Sequence, residues 1–159
     1  MLGGAGNVVR NLVALGVRPV FVSVVGDDEA GREIGGLINA LDGAEPCLVV
    51  QSGRQTTIKQ RYIAGSQQLL RADRETTAAI AETPRQRILE LIEQLLPRID
   101  LVVLSDYGKG VLCPEVLGAT IQTARQAGKP VIVDPKGRDY RIYAGASLLT
   151  PNRKELAVA

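Results

Sequence analysis

The spacing of apolar residues along the chain changes repeatedly from that of a helix to that of a buried strand. Residues 7–15 carry apolar side chains three or four positions apart, and residues 20–25 form an almost unbroken apolar run. Between them, Gly16 supplies a helix end and Pro19 prevents the helix from continuing. An apolar run flanked by helical patterns is typical of a parallel strand that is covered on both faces. This stretch therefore predicts a helix followed by a strand of a parallel sheet.

The same order returns in the second half of the chain. Residues 114–127 have a helical pattern, Gly128 and Pro130 end it, and residues 131–133 form a short apolar run. The remaining patterns predict helices at 27–41 and 84–96, strands at 48–50, 101–104 and 147–149, and a last helix that opens at Asn152. Helices that alternate with apolar strands predict an α/β fold with a mostly parallel sheet.

One segment departs from this order. Residues 55–63 and 67–73 alternate between apolar and polar positions on either side of a short turn, a pattern that predicts an antiparallel hairpin. We expect an insertion at about residues 48–73 to form a small β flap. Because the flap has little apolar surface of its own, it should pack against the main sheet or against a second chain.

Composition narrows the possible chemistry. The chain has 159 residues, enough for one domain, and a formal net charge of +2, too small to favour nucleic acid or an anionic membrane as a partner. It contains no His, which excludes Ser-His-Asp and Cys-His nucleophilic sites as well as zinc held by His. A general base would have to be a carboxylate, Lys, Tyr or Cys.

Cysteine usage and hydropathy bear on the compartment. Cys47 and Cys113 are isolated from each other, which favours two reduced thiols over a secreted disulfide pattern. No apolar stretch reaches the ~18 residues that a membrane span needs, and the first residues lack the pattern of a secretory signal. We therefore expect a cytoplasmic protein with no membrane partner.

Acidic, amide and basic side chains follow three predicted strands at the point where each strand ends. In chain order they are Asp106 and Lys109, Asp134 and Lys136, and Asn152 and Glu155. Ligands of open α/β sheets bind beyond the carboxyl ends of the strands. Lys neutralises phosphate charge and Mg²⁺ prefers oxygen ligands, so this pattern predicts a site for a phosphorylated ligand with a divalent cation. The sequence has neither a P-loop motif nor a dinucleotide fingerprint.

Several of these residues also have a structural explanation that the sequence does not exclude. Asn152 and Glu155 have the spacing of a capping box, and the acidic residues 27–29 can cap a helix. Asp134 precedes Pro135 and can belong to a turn. Lys59 and Arg61 can be solvated charges that protect the edge of the hairpin.

Six short motifs are spread over nearly the whole chain. They are Gly3-Gly4-Ala5-Gly6-Asn7-Val8, Val25-Gly26-Asp27-Asp28-Glu29-Ala30-Gly31, Gln67-Gln68-Leu69-Leu70-Arg71-Ala72-Asp73, Leu104-Ser105-Asp106-Tyr107-Gly108-Lys109-Gly110, Val133-Asp134-Pro135-Lys136-Gly137 and Leu149-Thr150-Pro151-Asn152. Together they resemble the ribokinase-like (PfkB) carbohydrate kinase family. The surroundings of Arg71, Lys109 and Lys136 are most similar to the branch in which a heptose-7-phosphate kinase is joined to an adenylyltransferase.

This resemblance implies a ribokinase-like three-layer core with a β flap, a sugar-phosphate substrate, ATP and Mg²⁺. The reaction it implies phosphorylates the anomeric O1 of D-glycero-D-manno-heptose 7-phosphate, a step towards ADP-heptose and lipopolysaccharide core synthesis. The implied substrate-binding residues are Gly3, Gly4, Asn7, Lys59, Arg61, Arg71, Asp106 and Lys109. Lys136, Asn152 and Glu155 are implied at the ATP phosphates, with Glu155 and Asp134 as candidate metal ligands. The resemblance also implies a homodimer formed through the flap.

The chain departs from the family pattern at both ends. Family members have a strand and a lid segment before the Gly-Gly motif, and their Gly-Ala-Gly-Asp signature, which carries the catalytic base, follows the last helix seen here. We therefore expect a kinase domain truncated at both ends, with no catalytic base before Ala159 and no kinase turnover of its own. Two alternatives stay open at this stage, namely another PfkB-type sugar kinase and a non-catalytic binding or dimerisation module.

Overall fold

The chain divides into two units, residues 1–77 and residues 78–159. The computed structural model describes residues 1–157. Each unit combines helices with parallel strands, as the alternating pattern predicted. Among the described residues, no helix has both the length and the hydropathy that crossing a bilayer would need.

The first unit contains two helices and four strands. They are α1 (Gly4–Ala14), β1 (Val20–Gly26), α2 (Glu29–Asn39), β2 (Glu45–Gln51), β3 (Ile58–Ala64) and β4 (Gln67–Arg74). Strands β1 and β2 pair in parallel over their full lengths. Helix α2 packs against both strands and buries Ile38 completely, and Val24, Val25 and Val49 complete this small core.

The flap begins later in the chain than expected. The strand predicted at residues 48–50 belongs to β2, which pairs in parallel with β1, so antiparallel pairing begins only at Ile58. The physical reason is the continuous apolar run of β2, which suits a parallel strand covered by a helix. Strands β3 and β4 form the hairpin itself, and a bulge between Tyr62 and Ile63 shifts its register. We use "flap" below for residues 58–74.

Up to residue 157, the second unit contains three helices, three strands and two 3₁₀ turns. They are α3 (Glu82–Leu95), a 3₁₀ turn at Leu96–Arg98, β5 (Val102–Ser105), α4 (Pro114–Gln126), β6 (Val131–Asp134), a 3₁₀ turn at Tyr140–Tyr143, β7 (Leu148–Leu149) and α5 (Arg153–Leu156). The strands form a parallel sheet in the order β5-β6-β7. Pro114 opens α4 at a position where its missing N–H costs nothing.

The core of the second unit lies between α4 and the sheet. Helix α4 turns one face inward at the helical spacing that its sequence predicted, and strand β6 is apolar on both faces. The buried core residues are Leu96, Leu104, Leu117, Ile121, Ala124, Val131, Val133 and Tyr143. Because β6 is the central strand, this packing fixes where its carboxyl end, and the loops beside it, must lie.

Candidate functional site

The loop after β5 is fixed by hydrogen bonds and by two glycines. The backbone N–H of Asp106 donates to the carbonyl of Asp134 at 3.0 Å, and Oδ1 of Asp106 accepts from the N–H of Gly108 at 2.8 Å. Gly110 has φ +74°, and a Cβ there would lie 2.0 Å from the carbonyl oxygen of Ala78. Only glycine fits such a position, so the loop that carries Lys109 has a defined path.

The loop after β6 is held against the loop after β5 by a tyrosine. Tyr143 is 2% exposed, and its hydroxyl donates to Oδ2 of Asp106 at 2.7 Å. The same hydroxyl accepts from the backbone N–H of Lys136 at 2.9 Å. Burial, and then the hydrogen bond to Asp106, raise the pKa of Tyr143, so the hydroxyl keeps its proton and acts as a donor.

The segment after β7 forms the capping box that the spacing allowed. Oδ1 of Asn152 accepts from the N–H groups of Lys154 and Glu155 at 2.9 and 3.0 Å. In return, the N–H of Asn152 donates to Oε2 of Glu155 at 3.0 Å. The other oxygen of this carboxylate, Oε1, lies 3.7 Å from Nζ of Lys136. Glu155 therefore caps α5 and also faces the loop after β6.

These three segments bring six of the predicted site residues to one edge of the second unit. We call this edge the rim, and it consists of residues 105–110, 134–137 and 150–155. Burial raises the pKa of Asp134, the carboxylates of Glu155 and Asp106 raise it further, and Lys136 partly opposes them. Carboxylates that disfavour the charge of Asp134 favour a cation beside it.

The rim is a source of oxygen ligands rather than a complete metal cage. Among residues 1–157, no group of three or more Asp, Glu, His or Cys side chains is arranged to hold a metal ion. Mg²⁺ commonly uses one or two carboxylates together with water and substrate phosphates. Asp134 and Glu155 fit that donor set, because both are oxygen ligands beside a lysine that can also meet phosphate.

The glycine-rich start of the chain forms the first turn of α1. Gly3 caps the helix without a side-chain hydrogen bond, and the carbonyl of Gly3 accepts from the N–H of Asn7 at 3.3 Å. Oδ1 of Asn7 accepts from Nη2 of Arg10 at 2.6 Å. Gly3, Gly4 and Asn7 are thus neighbours in space, in the first unit.

The basic residues of the flap share one face. The register places Lys59 opposite Asp73 and Arg61 opposite Arg71, and side chains of alternate residues lie on the same face of a hairpin. Asp73 accepts from Nζ of Lys59 at 2.8 Å and from Nε of Arg71 at 2.9 Å. The like charges of Arg61 and Arg71 stand directly opposite each other, an arrangement that an anion would relieve.

Asp28 connects the segment just before the flap to the start of α2, next to the end of β1. Its Oδ1 accepts from the N–H of Gly31 at 2.8 Å, which confirms that this acidic run caps α2. Its Oδ2 accepts from the N–H of Thr56 at 2.9 Å, and the hydroxyl of Thr56 accepts from the N–H of Gly26 at 2.8 Å. A Cβ on Gly26 would lie 2.1 Å from the carbonyl oxygen of Arg54, so the close approach of these two backbone segments requires glycine at position 26.

Two residues of these sites escaped the sequence analysis. Tyr143 lies in a 3₁₀ turn that the apolar pattern did not predict, and its partner Asp106 is 37 positions away. Thr56 lies 28 positions from Asp28. Neither contact leaves a periodic signal, because both depend on how separate elements pack.

Comparisons with known proteins agree with this architecture. The model of the pfkB family of carbohydrate kinases matches residues 1–159. The bifunctional protein HldE of Paramagnetospirillum magneticum is 61% identical over 98% of this chain and 32% of its own length. HldE of Rhodospirillum rubrum is 52% identical over 100% of the chain and 32% of its own length. The chain thus spans about a third of the length of these relatives.

Solved structures show the same fold at low identity. A tetrameric inhibited form of phosphofructokinase-2 from Escherichia coli superimposes with a TM-score of 0.76 at 21% identity, over 98% of this chain and 51% of that one. Ribokinase from Giardia lamblia superimposes with a TM-score of 0.68 at 17% identity, over 96% of this chain and 50% of that one. The expected ribokinase-like α/β fold is confirmed.

Proposed function

Because the chain belongs to the pfkB family of carbohydrate kinases, we propose that the complete protein transfers the γ-phosphoryl group of ATP to the anomeric O1 of D-glycero-D-manno-heptose 7-phosphate. The observation that carries this proposal is the 61% identity to an HldE protein over 98% of the chain. The product would be the 1,7-bisphosphate, a precursor for ADP-heptose and lipopolysaccharide core synthesis. The motifs around Arg71, Lys109 and Lys136 support the heptose branch.

In this proposal, residues of the rim bind the ATP phosphates and Mg²⁺. Lys136 and Asn152 would face the ATP phosphates, and Asp134 and Glu155 would hold Mg²⁺, which supplies neutralisation of phosphate charge when bound. The raised pKa of Asp134 supports this assignment, because a nearby cation restores the charged carboxylate. Catalysis of phosphoryl transfer rests mainly on positioning and charge stabilisation, which fits a rim built from fixed loops.

The sugar phosphate would be held by residues of three segments. The bare first turn of α1 at Gly3, Gly4 and Asn7 would receive sugar hydroxyls. Lys59, Arg61 and Arg71 of the flap, with Asp106 and Lys109 of the rim, would define the phosphate end. Support comes from the cross-strand pairing of Arg61 with Arg71, since an anion stabilises two like charges on opposite strands.

The experiment compares three versions of the complete protein on a panel of sugar phosphates. The unsubstituted protein should release ADP with heptose 7-phosphate and not with hexose phosphates. Lys109→Ala should lower kcat/KM about 10- to 100-fold, since it removes one charge-assisted contact to phosphate. Tyr107→Phe, a change at a 40% exposed residue of the same loop, is the matched control and should stay near the unsubstituted value.

Three results would contradict the proposal in different ways. Preference for another sugar phosphate would assign the protein to another pfkB-type kinase. Absence of any ATP or sugar-phosphate binding would favour a binding or dimerisation module. Equal kcat/KM for Lys109→Ala and the unsubstituted protein would make Lys109 a surface charge only.

We also propose that two copies of the chain pair through their flaps. The face opposite the basic residues carries Tyr62 and Leu70 as a cross-strand pair, and these side chains are 44% and 52% exposed. An isolated hairpin is marginally stable in water, and exposed apolar side chains on an unpaired edge favour association. A second flap would cover these apolar side chains and pair with the free strand edge.

Sedimentation tests this pairing. The unsubstituted protein should sediment as a dimer at tens of micromolar, and Leu70→Lys should sediment as a monomer because it buries a charge in the interface. Leu15→Lys, which changes a 79% exposed residue outside the flap, should remain dimeric. A monomeric unsubstituted protein, or a dimer that survives Leu70→Lys, would contradict the pairing.

The compartment follows from the proposed reaction and the thiols. Neither Cys47 nor Cys113 forms a disulfide, as expected in the reducing cytoplasm, and ATP-dependent sugar activation takes place where ATP is available. We place the protein there, with small phosphorylated ligands as its partners and neither nucleic acid nor membrane among them.

A further inference from the structure

The hydroxyl group of Tyr143 is the junction between two loops of the rim. Besides its bonds to Asp106 and to the N–H of Lys136, it lies 3.0 Å from the carbonyl oxygen of Lys136. The other oxygen of the Asp106 carboxylate accepts a hydrogen bond from the N–H of Gly108. Both oxygens of this carboxylate therefore accept hydrogen bonds, one from a backbone N–H and one from the hydroxyl of Tyr143.

We infer that Tyr143 is a positioning residue that sets the spacing between the two lysine-bearing loops of the rim, an inference that rests on the proposed kinase function. The loops carry Lys109 and Lys136, and they approach closely, since a Cβ on Gly108 would lie 3.6 Å from Cγ of Lys136. With the hydroxyl in place, the carboxylate of Asp106 and the backbone of Lys136 are fixed relative to each other. Two ammonium groups on fixed loops can meet phosphates without first being ordered.

Because Tyr143 is buried, its role is to position other residues and not to contact a bound ligand. At 2% exposure, its hydroxyl acts through Asp106 and Lys136 rather than on a bound ligand. The ring of Tyr143 belongs to the apolar core, so removal of the whole side chain would destabilise the fold. Removal of the hydroxyl alone affects only the hydrogen bonds between the two loops.

A neighbouring tyrosine provides a matched control. Tyr140 lies in the same 3₁₀ turn, with its ring centre 6.2 Å from that of Tyr143. Its hydroxyl is also buried, but within the described part of the chain it has no hydrogen-bond partner. Tyr140→Phe therefore deletes the same atom from the same turn without breaking a link between loops.

The experiment measures steady-state kinetics of the complete protein with either substitution. Tyr143→Phe should raise KM for a phosphorylated substrate about tenfold, the loss expected for one charge-assisted hydrogen bond. Its kcat should stay close to that of the unsubstituted protein, and its Tm should fall by a few degrees, because the N–H of Lys136 loses its acceptor. Tyr140→Phe should leave KM, kcat and Tm unchanged.

Hydrogen exchange of the same proteins gives a readout that does not depend on activity. Backbone amides of residues 106–110, 134, 136 and 137 should exchange faster in Tyr143→Phe than in Tyr140→Phe. Equal exchange in the two variants, an unchanged KM, or a fall in kcat and Tm without a rise in KM would each overturn the inference. If the unsubstituted protein lacks kinase activity, the proposed function fails, and the exchange comparison still decides whether Tyr143 joins the loops.

Discussion

Replacement of Asp134 with asparagine should stabilise the folded protein at neutral pH while removing most of its kinase activity. Burial, together with the carboxylates of Glu155 and Asp106, raises the pKa of Asp134 above its ordinary value of 3.8. An acid with a raised pKa binds its proton more tightly in the folded chain than in the unfolded one. Stability is therefore lost as the pH rises from 3.8 through the folded pKa, and the loss persists at higher pH.

Asparagine has the same shape and carries no charge, so it avoids this loss. Thermal unfolding should show a Tm for Asp134→Asn that exceeds the unsubstituted value by a few degrees at pH 7, with the difference shrinking as the pH falls below 4. Loss of the carboxylate should lower kcat about 100-fold or more, the range seen when a group that stabilises transition-state charge is removed.

Asp139 is the matched control for the sign of this effect. Hydrogen bonds from Arg141 hold the pKa of Asp139 at about 2, and the side chain lies outside the rim. Its contribution is present above pH 3.8 and is lost as the pH falls towards 2, so Asp139→Asn should lower the Tm slightly at neutral pH and leave kcat unchanged. A Tm of Asp134→Asn below the unsubstituted value at pH 7, or full activity, would contradict the prediction.

Replacement of Asp28 with alanine should destabilise the protein by about 2–4 kcal/mol, the sum expected for a lost helix cap and a newly unpaired buried N–H. The cap is the bond from Gly31, and the buried donor is the N–H of Thr56. Urea unfolding of the unsubstituted and substituted proteins measures the difference. Asp27→Ala is the matched control, because Asp27 is 72% exposed and pairs only at the surface with Arg32. That pair is worth about 0–1 kcal/mol.

The effect of Asp28 should depend on pH in the opposite direction from that of Asp134. Burial acts to raise the pKa of Asp28, but hydrogen bonds from Thr56 and Gly31, with help from Arg32, bring it below 3.8. The part of the stabilisation that depends on the charge of Asp28 is present above pH 3.8 and is lost as the pH falls through the folded pKa. The difference in unfolding free energy between Asp28→Ala and the unsubstituted protein should therefore become smaller in acid. A constant difference down to pH 2, or a large effect of Asp27→Ala, would contradict this account.

Helix ends and buried strands were predictable because each depends on a few adjacent residues. Gly128 and Pro130 mark the end of α4, and the apolar run of β6 marks a covered strand. The rim was predictable for the same reason, since Asp106, Asp134 and Asn152 each lie within three residues of the end of a strand. Parallel pairing of β5, β6 and β7 then brings these side chains to the same edge of the sheet, although they are far apart in the sequence.

The contacts that join elements were not predictable in this way. Strand β2 was grouped with the flap because its short apolar run precedes the hairpin, and only its pairing with β1 shows where it belongs. Tyr143 and Thr56 make their hydrogen bonds with residues on other elements. A lone Tyr or Thr in a loop has no period, so its role appears only once the packing is known.

The capping box ties ligand binding at the rim to the folding of a helix. Glu155 uses Oε2 to satisfy the N–H of Asn152, which leaves Oε1 as the oxygen on the side of Lys136. A ligand or cation that draws on both oxygens must open the first turn of α5, a helix of only four residues. Its apparent affinity is then the intrinsic affinity multiplied by the fraction of molecules in which that turn is open. Binding and helix initiation at this end of the unit form a single thermodynamic equilibrium, so mutations that strengthen the turn tune affinity without touching the ligand.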